Sequence, residues 1–379
     1  MARPFGVYVH FPYCVHRCPY CDFAVTTERP PAGGRYARAV RAELALRAGA
    51  FDELDARSLY LGGGTPSLWE PAEVSEVVSA IRNRVALPPD AEVTIEANPE
   101  SCDAGRLRAW RDAGVNRVSI GVQSFDPGVL AKLGRRHGPE EAERAIRAAA
   151  AIVGNVSVDL IPGGRRSSPG IAAADAARAV AAGAVHVSAY ALTLDPEVLA
   201  EEVPLARLAR SGRVAFPDAE EVGRQGAAIR AALRRAGLRR YEVSNFARPG
   251  FESVHNGLYW AGESYLGLGA GAYGCLHHAD GATRYGNLRD AEAWLAAVEA
   301  GRLPVAEEDR IGPAAERNER VMLALRTTAG VALEGIGPAR RPEVDALVRH
   351  RFAVRRGGRL VLTSRGMDLH SSISERLFE

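Results

Sequence analysis

Three cysteines within eight residues carry the strongest chemical signal in this sequence. Cys14, Cys18 and Cys21 stand in the segment CVHRCPYC with the spacing C-x3-C-x2-C. Thiolates hold iron–sulfur clusters, and three of them on one short loop would leave one iron of a four-iron cluster without a protein ligand. Structural zinc prefers four ligands, so the alternatives are a zinc knuckle completed by His10 or His16, or three incidental thiols.

Other polar residues stand where strand-like runs end. The segment GGGTP, at positions 62–66, follows one such run, and its glycines would let backbone amides approach a charged ligand closely. Glu96 ends the next run, Gln123 follows another, and Asp159 lies in a fifth. Each of these residues has an ordinary structural interpretation when taken singly. Their recurrence at strand ends favours one active face.

The elements that position these residues alternate regularly over the first 240 residues. Six short apolar runs predict strands at residues 6–11, 58–61, 92–96, 117–120, 156–160 and 185–189. Apolar residues at helical spacing predict helices at 36–47, 71–85, 103–113, 139–152 and 172–182. The alternation indicates an α/β fold with a parallel sheet, either doubly wound or a full or partial barrel.

The second part of the chain has a different pattern. A helix is predicted over residues 218–236, and residues 241–274 are rich in aromatic residues and glycine. Residues 314–326 and 341–350 predict helices, and the segment 352–362, FAVRRGGRLVL, predicts a hairpin. Two helices and a hairpin are typical of a winged helix.

Composition excludes several classes of protein. The 379 residues are 47% hydrophobic and 25% charged, which is typical of a globular chain of two or three domains. No apolar run is long enough for a membrane helix, and the N-terminus shows no signal-peptide pattern, so we expect a cytoplasmic protein with reduced thiols. A net charge of +2 with no basic stripe argues against nucleic-acid binding by the winged helix.

Together these motifs resemble the radical SAM family, and within it the oxygen-independent coproporphyrinogen III oxidase-like subfamily, closest to the HemW heme chaperones. The resemblance runs through YVHFPYCVHRCPYCDF, LYLGGGTPS, IEANPE, RVSIGVQSF, VDLIPG, HNGLYW and GLGAGAYG. It implies a partial (β/α)6 TIM-like barrel over residues 1–236, an α+β middle segment over 237–304, and a small winged-helix-like domain over 305–379. It also implies a 4Fe-4S cluster on the three cysteines.

The resemblance further implies a shell around S-adenosylmethionine, whose amino and carboxylate groups chelate the open iron in this family. The implied residues are Tyr8, Gly63, Gly64, Thr65, Glu96, Gln123, Arg135 and Asp159. Residues 63–65 would contact the methionine amino group, with Glu96 and Arg135 as charged partners. Gln123 and Asp159 would lie on the ribose side.

Two features favour a heme chaperone over an oxidase. The porphyrinogen oxidases carry a further cysteine two residues after the third, where this chain has Phe23. The segment HNGLYW matches the HNxxYW motif of the heme chaperones, which implies His255 as a heme ligand with Tyr259 and Trp260 against the porphyrin.

The implied partners are heme, apo-hemoprotein recipients and an electron donor for the cluster, with no nucleic acid and no integral membrane segment; peripheral membrane association stays open. The alternative is an oxygen-independent coproporphyrinogen III oxidase, or a related radical SAM enzyme that generates a 5′-deoxyadenosyl radical. Whether the chain is an enzyme is therefore left open. Departures from the family pattern are the loop DLIPGGRR and Tyr273, which replaces a histidine.

Overall fold

The structure, a computed structural model, describes residues 2–30, 33–194, 199 and 203–378. Six neighbouring strands pair in parallel in the order in which they occur in the chain. They are Pro4–Phe11 (β1), Asp55–Gly63 (β2), Glu92–Ala97 (β3), Arg117–Gln123 (β4), Val156–Leu160 (β5) and His186–Ala189 (β6). The predicted strands are thus confirmed. The six strands form a partial barrel, because β1 and β6 do not pair with each other.

Helices alternate with these strands as predicted. They are Arg35–Arg47 (α1), Pro71–Arg84 (α2), Ala104–Asp112 (α3), Pro127–Lys132 (α4), Pro139–Ile152 (α5), Pro169–Ala182 (α6), Pro204–Arg210 (α7) and Ala219–Arg235 (α8). Several begin with proline, whose missing N–H is not needed in the first turn. The side chains of Asp103, Ser168 and Asp218 accept hydrogen bonds from free backbone amides at the starts of α3, α6 and α8.

Further strands extend both edges of the parallel sheet. Beyond β6 lie Asn245–Ala247 (β8) and Arg239–Arg240 (β7), and beside β1 lies Ser264–Leu268 (β9), which pairs with β1 in parallel. The sheet continues through Tyr273–His278 (β10), Gly281–Asn287 (β11) and Val305–Ile311 (β12). The helices Val254–Ala261 (α9) and Ala291–Glu299 (α10) belong to the same region.

A buried carboxylate joins this edge to the main core. Glu43 of α1 accepts hydrogen bonds from the backbone amide of Gly269 at 2.8 Å and from the indole Nε1 of Trp294 at 3.1 Å. It also accepts from Asn287 at 2.7 Å and pairs with Arg47 at 2.8 Å. Four donors satisfy a carboxylate that burial would otherwise penalise. The connection after β9 is therefore fixed against α1.

The C-terminal region has a separate hydrophobic core that runs from Val321 to Leu377. Its elements are Pro313–Leu325 (α11), Val331–Ala332 (β13), Arg341–Arg349 (α12), Ala353–Arg356 (β14), Arg359–Leu362 (β15), Ser364–Met367 (α13) and His370–Leu377 (α14). The predicted hairpin is confirmed: β14 and β15 pair antiparallel across Gly357 and Gly358, whose φ values are 55° and 74°. The division into three domains stays a prediction, and β12 pairs within the large sheet. No helix among the described residues is long and apolar enough to cross a membrane.

Candidate functional site

The three cysteines lie in the connection that follows β1. The backbone amide of Cys14 donates to the carbonyl of Thr26 at 2.9 Å, and the amide of Thr26 donates to the carbonyl of Pro12 at 2.8 Å. These two bonds close the connection into a loop. Cys14, Cys18 and Cys21 all line one cavity of about 330 Å³, which we call the cysteine cavity.

The surroundings of the thiols fit a thiolate-bound cluster. Burial, together with the proximity of Cys14 and Cys18, raises the pKa of Cys21 to about 11. Thr65 donates through Oγ1 to the Cys14 sulfur at 3.4 Å, and Arg135 donates through Nη1 to the Cys18 sulfur at 3.7 Å. Coordination by metal replaces the thiol protons, and such donors stabilise the resulting thiolate charge.

The two histidines that could complete a zinc site, His10 and His16, both form hydrogen bonds to oxygen atoms. His10 has both ring nitrogens engaged: Nε2 donates to the carbonyl of Ala24 at 2.8 Å, and Nδ1 accepts from the Tyr8 hydroxyl at 3.0 Å. Burial lowers the pKa of His10 to about 4, so the ring is neutral. His16 donates through Nε2 to the carbonyl of Gly134 at 2.8 Å. In this arrangement His10 has no nitrogen left to complete a zinc knuckle.

The glycine turn after β2 packs directly against the cysteine loop. The amide of Gly64 donates to the carbonyl of Phe11 at 2.8 Å, and the amide of Thr65 donates to the carbonyl of Tyr13 at 3.0 Å. A Cβ at Gly64 would lie 2.8 Å from the Phe11 carbonyl oxygen, so only glycine fits there. Gly63 has a φ of 111°, in the region that favours glycine.

Two half-buried carboxyl groups, those of Glu96 and Asp159, line the cysteine cavity. Glu96 accepts from the Tyr60 hydroxyl at 2.8 Å and from the Gly63 amide at 3.0 Å. Burial, and then the negative charge of Asp159, raise the pKa of Glu96 to about 7. Burial also raises the pKa of Asp159, although Ser119 donates to both of its oxygens at 3.2 Å. Among the described residues neither carboxyl group forms an ion pair, and the nearby Arg117 pairs with Glu92, so the site favours a positively charged ligand.

Gln123, at the end of β4, and Arg135 complete the wall of the cysteine cavity. Gln123 has a φ of 68°, and the pairing of β4 with β5 shifts register between Gly121 and Gln123. Such a conformation is uncommon in a non-glycine residue, and residues held in this way cluster at functional sites. Arg135 donates through Nη2 to Asn98 Oδ1 at 2.6 Å and to the Gly121 carbonyl at 2.8 Å, while its Nε has no hydrogen-bond partner within the described part of the chain.

Seven of the eight residues predicted around S-adenosylmethionine thus line the cysteine cavity: Gly63, Gly64, Thr65, Glu96, Gln123, Arg135 and Asp159. The eighth, Tyr8, lines two adjoining cavities that also include Glu96. The larger of these, of about 620 Å³, we call the aromatic cavity after Phe23, Tyr259, Tyr265 and Tyr273 in its walls.

Of the HNxxYW residues predicted to bind heme, Tyr259 lines the aromatic cavity, whereas His255 and Trp260 do not. His255 is buried, with Nδ1 hydrogen-bonded to Ser58 Oγ at 2.8 Å and Nε2 hydrogen-bonded to the Tyr259 hydroxyl at 2.9 Å. Burial lowers the pKa of His255 to about 3. Tyr259 reaches the aromatic cavity, whereas the Trp260 ring lies under the Arg326 guanidinium, 4.4 Å from its centroid. His255 therefore has no free nitrogen for iron in this conformation.

Comparison with known proteins identifies the family. The Radical SAM superfamily model matches residues 8–170. The heme chaperone HemW of Mycobacterium tuberculosis (strain ATCC 25618 / H37Rv) is 39% identical over 384 residues, which cover 99% of this chain and 95% of that protein. The chain belongs to the HemW family of radical SAM proteins. HemW of Escherichia coli (strain K12) is 35% identical over 285 residues, covering 73% of this chain and 72% of that protein.

A solved structure extends the comparison to the fold. The coproporphyrinogen III oxidase HemN of Escherichia coli, described as a radical SAM enzyme, superposes with a TM-score of 0.82. The match covers 100% of this chain and 90% of that chain at 20% identity. This likeness shows that the HemW-family chain has the HemN fold. Membership of the radical SAM family implies a 4Fe-4S cluster and S-adenosylmethionine as its cofactors.

Some residues of the site were not found from the sequence. Glu92 accepts from the backbone amides of Val254 and His255 at 3.0 and 2.9 Å and so holds the start of α9, while Arg117 lies 3.9 Å from it. Tyr60 fixes Glu96 and stacks on His255 with 5.1 Å between ring centroids. The sequence signal that could have indicated Tyr60 is the two-residue period of strands, which places Tyr60 on the same face of β2 as Ser58.

Proposed function

We propose that this protein binds heme and delivers it to apo-hemoproteins, with a 4Fe-4S cluster and S-adenosylmethionine as its resident groups. The observation that carries the proposal is that the cysteine cavity and the aromatic cavity adjoin. Glu96 and Phe23 line both the cysteine cavity and the aromatic cavity. Full-length similarity to proteins named heme chaperone HemW supports the same function.

The residues of the cysteine cavity fit the two resident groups. Cys14, Cys18 and Cys21 would hold the cluster, and the carboxyl of Glu96 would face the cationic end of S-adenosylmethionine beside the Gly63 amide. When bound together and reduced by an electron donor, these groups supply one-electron chemistry. The residues of the chain bind and orient S-adenosylmethionine and shield it from water.

The aromatic cavity fits the cargo. Its volume of about 620 Å³ lies within the range of small-molecule sites, about 300–1,000 Å³. The Tyr259 and Tyr265 rings meet edge to face, with centroids 4.7 Å apart, and offer a flat apolar wall. Phe23, which is 57% exposed, adds an apolar surface to the cavity wall that an apolar ligand would cover. Phe23 also stands where the oxidases of this family have their additional cysteine.

One experiment separates this proposal from porphyrinogen oxidation. Anaerobically reconstituted protein is titrated with heme and, in parallel, incubated with coproporphyrinogen III, S-adenosylmethionine and a reductant. We expect a saturable Soret band distinct from that of free heme and no protoporphyrinogen IX. The retained S-adenosylmethionine shell makes the enzyme the second candidate. Conversion of coproporphyrinogen III without heme binding would establish that candidate instead.

A further inference from the structure

A histidine outside the HNxxYW motif faces the aromatic cavity. Cys275 and His277 are two residues apart on β10 and so lie on the same face of that strand. Both line the aromatic cavity, to which α11 contributes Glu316 and Arg320. The cavity is therefore bounded by one strand and one helix that carry metal-binding and charged side chains.

The ring of His277 is held in one orientation. Its Nδ1 donates to Glu316 Oε1 at 2.8 Å, and Arg320 anchors the same carboxylate oxygen through Nη2 at 2.9 Å. Because the proton is on Nδ1, the lone pair is on Nε2, which lies 3.8 Å from the Cys275 sulfur. A thiol is a weak hydrogen-bond donor, so a stronger partner can displace it. Burial lowers the pKa of His277, although its hydrogen bond with Glu316 opposes that shift.

This arrangement is the one that metal-binding histidines adopt. A ligating histidine usually donates its second ring N–H to a carboxylate, which fixes the tautomer and raises the basicity of the ligating nitrogen. By contrast, His10 and His255 have both nitrogens in hydrogen bonds to oxygen atoms. Their bonds cost more to break than the contact between His277 and Cys275.

We propose that Nε2 of His277 is an axial ligand of the heme iron in the aromatic cavity, and that Glu316 is its positioning residue. The proposal rests on the proposed function. Cys275 lies on the same side of the cavity as His277, so the two cannot bind opposite faces of one heme. Tyr259 and Tyr265 then pack on the porphyrin, and His255 orients Tyr259 through its hydroxyl.

The test uses anaerobically reconstituted full-length protein titrated with hemin, with cluster content and far-UV circular dichroism recorded for each variant. The variants are His277→Ala, Glu316→Gln, Cys275→Ser, His255→Ala and, as a matched control, His278→Ala. His278 is the neighbouring residue, is exposed, and pairs with Thr283 at 3.1 Å outside the aromatic cavity.

We expect His277→Ala to lose the histidine-ligated Soret band, and free imidazole to restore it. Glu316→Gln should keep the band but weaken heme affinity roughly 10–100-fold, the usual effect of losing a carboxylate partner of a ligating histidine. His278→Ala and Cys275→Ser should retain the wild-type band, and His255→Ala should retain its shape with weaker binding.

The failures are distinguishable. If the wild-type protein gives no bound-heme spectrum, the proposed function itself fails. If it binds heme but His277→Ala has the wild-type spectrum, or loses the band without rescue by imidazole, only the assignment of His277 is overturned. Loss of the band in Cys275→Ser, or imidazole rescue of a band lost in His255→Ala, would assign the ligand to another residue.

Discussion

The raised pKa of Glu96 predicts a specific dependence of stability on pH. Its pKa in the folded protein is about 7, whereas its ordinary value is 4.5. Between these values the folded protein retains a proton that the unfolded chain has released. Stability due to this group therefore falls as pH rises, and the loss is complete just above pH 7. The Glu96→Gln variant cannot titrate at this position and lacks this loss.

The magnitude follows from the two pKa values. The full loss is about 3.4 kcal/mol, since one pKa unit is worth about 1.36 kcal/mol. About 0.8 kcal/mol of it has occurred by pH 5 and nearly all of it by pH 8. Between pH 5 and pH 8, wild-type protein should therefore lose about 2.5 kcal/mol of unfolding free energy relative to Glu96→Gln.

Urea unfolding of the cluster-free protein at both pH values, under reducing conditions, measures this difference. The exposed Glu70→Gln variant is the control and should parallel the wild type. A constant difference between wild type and Glu96→Gln at pH 5 and pH 8 would refute the reasoning. A carboxylate that costs stability in the absence of ligand is retained for what it binds, so S-adenosylmethionine should stabilise wild type more than Glu96→Gln.

Three further predictions concern the cysteine cavity. Each of three variants should abolish the cluster absorbance after anaerobic reconstitution: Cys14→Ala, Cys18→Ala and Cys21→Ala. Cys102→Ala should retain that absorbance and about four irons per chain, and retention in the loop variants would contradict the ligand assignment. Arg135→Ala should weaken S-adenosylmethionine binding in calorimetry by about 1.5–3 kcal/mol, whereas the exposed Arg136→Ala should not; equal effects would exclude a specific role. Gly64→Ala should disrupt both cluster and S-adenosylmethionine binding, because its Cβ meets the backbone of the cysteine loop, and wild-type cluster content would contradict this reason.

Much of the fold and of the cysteine cavity was predictable because it depends on local patterns and one topological rule. Each strand of β1–β6 has its own apolar run, and parallel strands place their carboxyl ends at one edge of the sheet. That rule brings Glu96, Gln123 and Asp159 together, although each is unremarkable alone. The hairpin at residues 353–362 has a similarly local signal in Gly357 and Gly358.

The rest depends on contacts between distant parts of the chain. The pairing of β9 with β1 has no local signal, because residues 241–274 are irregular in pattern and their partner strand lies at the start of the chain. The burial of His255 depends on Ser58, which is 197 residues away. The sequence motif therefore indicates a functional region but does not tell which of its side chains faces the cavity.

A direct measurement of heme transfer tests whether this protein delivers heme to apo-hemoproteins. Cluster-loaded protein carrying heme is mixed with an apo-hemoprotein whose spectrum reports incorporation, and separately with a heme scavenger that measures spontaneous release. We expect heme transfer to the acceptor to be faster than heme release to the scavenger, and the transfer rate to increase with acceptor concentration. Transfer at the rate of release into the scavenger, whatever the acceptor concentration, would contradict delivery by this protein.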